Sequence, residues 1–279
     1  MDEDAGSMKR ISKSGSGGVV TKSIGINPRK GYPNPTVIEI ECGILNAMGL
    51  PNPGIDEFKY EIIELKKSDI KIIGSIFGSN SEEFIKLAEK MEEYGSDAVE
   101  LNMSCPHAKG YGLEIGSDPD IVYEIVKKVK QKINIPVFVK ISPNLHNIIE
   151  IAQIIEKAKA DAIVAINTVK AMKIDIDIRK PVLANKIGGY SGKAIKPIGV
   201  RCVYEIYENT KIPIIGVGGI TSGEDAIEYI LAGASAIEIG SAIYYRGIDV
   251  FNKICKEIKN WMKENKIERI SDFIGEAHR

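Results

Sequence analysis

The chain has 279 residues, 44% hydrophobic and 27% charged, which is enough apolar matter to bury a large core. Its 37 basic and 38 acidic side chains leave a formal charge of −1, so no basic footprint points to nucleic acid or to an anionic membrane surface. No apolar run approaches the ~18 residues of a membrane span, and the opening Met1-Asp2-Glu3-Asp4 is unlike a signal peptide.

A helix-like stretch at Ala5–Ser14 leads into a first strand over Gly18–Ile24. The connection Asn27–Phe58 follows, punctuated by Gly31, Pro33, Pro35, Gly43, Gly49, Pro51, Pro53 and Gly54. Continuous apolar, β-branched runs then predict buried parallel strands at Ile72–Phe77, Ala98–Met103, Val137–Ile141, Ala162–Ile166, Ile212–Val217 and Ala236–Ile239. Amphipathic helices are expected between and after them, at Ser81–Gly95, Asp118–Lys132, Asn147–Ala160, Ile195–Asn209, Ser222–Gly233 and Gly247–Lys266. Asp118-Pro119 reads as an N-cap with Pro at the first helical position, Thr221…Glu224 as a capping box, and Gly95 and Gly233 as helix stops. A second long connection, Asn167–Ala194, carries Gly188-Gly189-Tyr190-Ser191-Gly192. Loops of this length in a compact domain are usually functional.

Seven strands in strict alternation with helices, with no linker composition, predict one α/β domain over residues 1–279. A (β/α)8 TIM barrel needs eight strands. The expectation is therefore a barrel whose first strand is missing from this chain, with Met1 an internal methionine of a longer protein. A doubly wound open sheet is the alternative, but no G-x-G-x-x-G stands between strand and helix.

Chemistry-bearing residues gather at the strand ends, where barrels place their sites. Glu100-Leu101-Asn102-Met103-Ser104-Cys105-Pro106-His107 runs from a strand into a polar, thiol-bearing loop. Lys22 and Lys140 interrupt apolar strands, which is costly unless each ammonium meets an anion or a polar ligand. Asn102 and Asn167 end two more strands, so four strand ends offer amides or cations to one mouth. Two strand-then-glycine turns, Val217-Gly218-Gly219 and Ile239-Gly240-Ser241, fit the phosphate site that barrels build after their last strands. The motif leaves open whether the phosphate belongs to substrate or cofactor. Four scattered cysteines (Cys42, Cys105, Cys202, Cys255) form no C-x-x-C pair, which speaks against a zinc site, a disulfide framework or an iron–sulfur cluster held by this chain alone. Such cysteine usage fits a reducing, cytoplasmic setting. His107, His146 and His278 show no ligand spacing, and His278 falls in a tail where disorder is the default.

Ordered along the chain are Gly31-Tyr32-Pro33-Asn34-Pro35, Leu45 to Gly54, Glu100 to Pro106, Val139-Lys140-Ile141-Ser142-Pro143-Asn144, Ile166-Asn167-Thr168, Pro181 to Asn185, Gly188 to Pro197 and the two glycine turns. With these residues nearly the whole chain resembles the class 1 dihydroorotate dehydrogenases, FMN-dependent barrels of pyrimidine biosynthesis, and within them the class 1B catalytic subunit. The resemblance implies that Cys105 is the base taking a proton from C5 of dihydroorotate while hydride leaves C6 for the flavin. It places Lys22, Asn46, Ala47, Met48, Gly49, Leu50, Asn102, Asn167 and Thr168 around the substrate. It places Lys22, Ser23, Ser75, Asn102, Lys140, Ile166, Gly192, Gly218, Gly219, Gly240 and Ser241 around one FMN, the last four at its phosphate. The loop Pro106–Gly116 would be a lid.

It further implies a homodimer, assembled into a heterotetramer with a subunit that carries FAD and an iron–sulfur cluster and passes electrons to NAD. Neither nucleic acid nor membrane is expected as a partner. Two positions depart from the family pattern: His107 stands where Asn is usual, as in dihydropyrimidine dehydrogenases, and Ser75 where a flavin-contacting Asn is usual. The Asn102–Pro106 element also resembles that of tRNA-dihydrouridine synthases, which the charge balance disfavours. A flavin-binding subunit without activity is the non-enzymatic alternative.

Overall fold

In a computed structural model of the protein, residues 3–104 and 113–279 are described. The chain opens on α1 (Ala5–Lys13) and β1 (Val19–Val20). An excursion of two strands, β2 (Val37–Ile40) and β3 (Gly43–Asn46), precedes α2 (Ile55–Lys66) and β4 (Ile72–Ile76). The regular repeat follows as α3 (Ser81–Tyr94) and β5 (Ala98–Asn102), then α4 (Leu113–Gly116), α5 (Pro119–Lys130) and β6 (Val137–Ile141), then α6 (Ile148–Lys157) and β7 (Ala162–Ala165). A second excursion carries β8 (Val169–Ala171), β9 (Ile174–Asp175), β10 (Lys180–Pro181) and β11 (Gly188–Ser191). The chain then runs through α7 (Lys196–Asn209), β12 (Ile214–Val217), α8 (Gly223–Leu231), β13 (Ala236–Glu238), α9 (Ala242–Arg246) and α10 (Val250–Glu264).

Seven of the strands form one parallel sheet in the order β1-β4-β5-β6-β7-β12-β13. It is curled. Lys140 of β6 and Glu238 of β13 stand three places apart in that order, about 14 Å in a flat sheet, yet Lys140 Nζ lies 3.0 Å from Glu238 Oε2. The sequential parallel order with a helix between strands is that of a (β/α)8 barrel, as expected, with seven of its strands among the described residues. β5 and β7 are buried along their whole length, which is why they read as unbroken apolar runs.

The helices lie where the sequence periodicity puts them. Asp118 caps α5 by accepting from the backbone N–H of Asp120 and Ile121, and Pro119 occupies the first turn. That helix buries Val122, Ile125, Val126 and Val129, a stripe at helical spacing. Gly95 ends α3 in the left-handed conformation, with φ +104°. Three expectations are corrected. The capping box of α8 is Ser222 with Asp225, one residue later than Thr221 with Glu224, because Ser222 is the residue with extended backbone and Asp225 reaches back to its N–H. The last helix, expected over Gly247–Lys266, is α10 over Val250–Glu264, and a short unexpected helix, α9, precedes it and ends at Gly247, where φ is +76°. His278 is held in place: its ring stacks on Tyr204 at 3.8 Å and its Nε2 lies 3.1 Å from the Ala232 carbonyl oxygen.

The two long connections are structured together. β2, β3, β11 and β8 make a four-stranded antiparallel sheet in which Asn46 pairs with Gly189. This sheet has its own small core of Leu45, Ala47 and Leu183. Helix α2, which buries Ile55, Phe58, Ile62 and Leu65, begins inside the stretch read as a connection. No helix among the described residues is long and apolar enough to cross a membrane.

Candidate active site

The carboxyl ends of the strands open on a cavity of about 980 Å³. All four polar strand-end residues, Lys22, Asn102, Lys140 and Asn167, line it. They arrive there by the alternation of a strand: Glu100 and Asn102, two apart on β5, share one face, and Lys140 is the register partner of Asn102 on β6. From the end of β3 and the loop after it come Asn46, Met48, Gly49 and Leu50. A smaller cavity of about 250 Å³ adjoins it, lined by Ile166, Ser191, Gly218, Gly219 and Ser241, and Lys140, Asn167, Thr168, Glu238 and Gly240 border both.

A row of polar side chains crosses the barrel below the mouth. Asn167 Nδ2 donates to Ser104 Oγ at 2.8 Å, Ser104 Oγ to Asn102 Oδ1 at 2.9 Å, and Asn102 Nδ2 to Ser23 Oγ at 2.9 Å. Ser23 Oγ lies 2.9 Å from Ser75 Oγ, and Ser75 Oγ donates to Glu100 Oε1 at 3.2 Å. Residues from β4, β5 and the loops after β1, β5 and β7 are thereby locked to one another. Asn144 supports the mouth by donating to the Thr168 carbonyl oxygen at 3.0 Å. Lys22 pairs with Glu3 at 3.1 Å, a carboxylate on the ammonium expected to hold an anion.

Lys140 Nζ is 3.0 Å from Glu238 Oε2 and 3.8 Å from Glu100 Oε1. Glu100 is 2% exposed, and burial, partly offset by the Lys140 charge, pushes its carboxyl up to about 7. Neither Glu100 nor Glu238 was singled out from the sequence. The signal was present in Glu100 as an acid inside a fully apolar strand, but its partner lies on the far side of the barrel and far along the chain.

The glycine turns divide by role. Gly216 makes room for Tyr229, whose ring a Cβ would meet at 2.5 Å, and Tyr229 Oη donates to the Gly218 carbonyl oxygen at 2.7 Å. Gly218 and Gly219 take φ of +124° and +70°, which L side chains adopt only with strain. Gly240 is different. A Cβ there would meet nothing within 4 Å, so the space above it is open. Two expected residues stand back from the cavities: Ala47 packs in the small core of the antiparallel sheet, and Gly192 is pressed against Gly43 and Gly219. Cys105, His107 and the loop through Tyr111 and Gly112 lie outside the described residues.

A parallel barrel whose strand ends converge amides, hydroxyls and two lysines on a cavity beside paired glycine turns has the layout of an enzyme barrel. The family model described as Dihydroorotate dehydrogenase matches residues 1–262. The chain is 56% identical to the dihydroorotate dehydrogenase B (NAD(+)) catalytic subunit of Methanocaldococcus jannaschii, covering 100% of this chain and 92% of that one. It is 54% identical to the proteins of the same name from Thermoplasma volcanium (99% and 91% covered) and Pyrococcus furiosus (98% and 90% covered). The chain belongs to the dihydroorotate dehydrogenase family.

Proposed function

We propose that this protein oxidises dihydroorotate to orotate for pyrimidine biosynthesis, as a single FMN-binding domain and as the catalytic member of a complex. The observation that carries the reading is the continuity of the two cavities, with the lysines and amides in one, the glycine turns in the other, and Lys140 on the border. The residues fit FMN. The turns at Gly218, Gly219 and Gly240 line the smaller cavity with no side chain in the way, a cradle that a Cβ on Gly240 would enter, and Lys140 brings a cation to its border with the larger one.

Gly218, Gly219, Gly240 and Ser241 would hold the phosphate, and Lys140, Ser23, Ser75, Asn102 and Ile166 the ring system. When bound, FMN supplies an acceptor for the hydride that leaves C6 of the substrate. Lys22, Asn46, Asn102, Asn167 and Thr168 would bind the ring and carboxylate of dihydroorotate, an anion for which Lys22 would exchange its Glu3 partner. Asn102 and Asn167 are prepositioned for this because Ser104 ties their side chains together. Cys105, next in the chain, would take the C5 proton, so that loss of H⁺ from C5 and hydride from C6 leaves the C5=C6 double bond of orotate. Only the thiolate accepts a proton, so the step should speed up with pH until Cys105 is ionised.

The relatives are named catalytic subunits, which supports an electron-transfer partner. A subunit with FAD and an iron–sulfur cluster, passing electrons to NAD in a heterotetramer built on a homodimer, is the assembly proposed. The function is tested by purifying the chain with FMN and adding dihydroorotate without oxygen. Bleaching of the flavin absorbance is expected, and a flavin that stays oxidised overturns the reading.

A further inference from the structure

Glu100 sits in the middle of a strand that is buried throughout, where an ionised carboxylate is costly unless fully paired. Its Oε1 receives Ser75 at 3.2 Å and faces Lys140 at 3.8 Å, while its Oε2 has no hydrogen-bond partner among the described residues. Glu238, across the barrel, repeats the pattern: Oε2 takes Lys140 at 3.0 Å, and Oε1 is buried without a partner. The two carboxyl groups thus converge on the one ammonium of Lys140. Two carboxylates on one ammonium leave a surplus negative charge and two orphaned oxygens. One proton placed between the carboxyls removes both faults, as in other carboxyl pairs too close to ionise together. Among the described residues, the charged groups facing Glu100 are Lys140 from β6 and Glu238 from β13; Ser75 faces it from β4, and Lys22, farther along the same cavity, is paired with Glu3. Burial first, and then the Glu238 charge, raise the Glu100 carboxyl against the opposing pull of Lys140.

We propose that Glu100 and Glu238 share one proton, and that the resulting neutral cluster with Lys140 sets the reduction potential of the flavin bound beside it. The inference rests on the FMN reading above. Both acids are positioning residues: they act on the flavin through Lys140, which with Glu238 borders the two cavities that the cofactor would span. Deprotonation of the pair leaves one net negative charge beside the ring, and reduction of FMN by hydride adds another. Reduction therefore draws a proton from solvent back onto the pair, in addition to the hydrogen carried by the flavin.

The test is a redox titration of the FMN-loaded chain between pH 6 and pH 9. The wild type should show a potential that falls about twice as steeply with pH above neutrality as below it, the mark of a second proton taken up. Glu100→Gln and Glu238→Gln should each restore the single slope. One slope throughout in the wild type, or a double slope kept in a variant that binds FMN, overturns the proposal. A second measurement needs neither variant nor flavin. Infrared spectra of the FMN-free chain, with and without 13C-labelled glutamate, should show a buried protonated carboxyl at pH 6 that is lost by pH 9, and its absence at pH 6 overturns the shared proton. A chain that shows this band yet binds no FMN would instead refute the cofactor reading alone.

Discussion

At the scale of single residues, Cys105 and Glu100 make the sharpest predictions. Cys105→Ala should leave FMN bound while slowing flavin reduction by dihydroorotate by roughly 10²–10⁴-fold, the usual share of a general base. Stopped-flow bleaching checks this, and fast reduction in the variant would show that another group takes the C5 proton. Glu100 predicts a pH effect on stability. Its carboxyl titrates at about 7 in the fold, where burial outweighs the attraction of Lys140, against 4.5 ordinarily. Folding therefore takes up a proton between those values, and the contribution to stability is full below about 4.5 and lost as pH rises through 7. In urea denaturation, Glu100→Gln should gain on the wild type across that window, by about 3 kcal/mol at most. Parallel pH profiles for the two proteins would contradict it. The site was legible at this scale wherever a polar residue broke an apolar run, as Lys22, Asn102, Lys140 and Asn167 do. Glu238 was not, because a single acid at a strand end looks solvated until the sheet curls and brings Lys140 to it.

Among the elements, α8 and its flanking turns separate folding from binding. Ser222 accepts from the Asp225 N–H while the Asp225 carboxylate accepts from the N–H of Thr221 and Ser222. Ser222→Ala should cost about 1 kcal/mol of stability, read as a lower denaturation midpoint with an unchanged slope. Two glycines should part company in the same assay. In Gly219→Ala, strain at φ +70° and a Cβ 2.8 Å from the Gly192 carbonyl oxygen should lower stability by ~1–3 kcal/mol. Gly240→Ala should leave stability unchanged and weaken FMN binding, since its Cβ enters the space above the turn; unchanged flavin affinity would move the phosphate elsewhere.

The barrel strands were readable because strands buried on both faces are apolar along most of their length. The antiparallel sheet was not, because β2 and β3 are half-exposed, four residues each, and set among glycines and prolines that read as loop. Helix α2 was hidden by Pro53-Gly54 at its start, although Ile55, Phe58, Ile62 and Leu65 hold helical spacing.

At the scale of the whole molecule, the parallel sheet has β1 and β13 as its two edges, and the larger cavity runs between them, past Gly18, Ile237, Phe251 and Ile254. A ligand seated among the strand ends touches residues from nearly every strand and so stabilises the folded arrangement by linkage. FMN at 100 times its dissociation constant should add about 2.7 kcal/mol. A thermal melt followed by circular dichroism should move upward with FMN concentration without levelling off, and a melt indifferent to FMN would count against the site.

The row from Asn167 to Glu100 has a direction. Asn167 donates a hydrogen bond to Ser104, Ser104 to Asn102 and Asn102 to Ser23, and because the Ser75 hydroxyl donates to Glu100, Ser23 must donate to Ser75. Five links thus point the same way, and aligned bonds polarise one another. Asn102 is the member that passes this sense along without a rotating hydroxyl, taking with its oxygen and giving with its nitrogen. An aspartate there could only take. Ser23 would turn its hydroxyl back toward it, and the disturbance would reach an acid two serines away that Asn102 does not touch. A change made in the mouth of the barrel would then be felt on its floor as an altered hold on a proton.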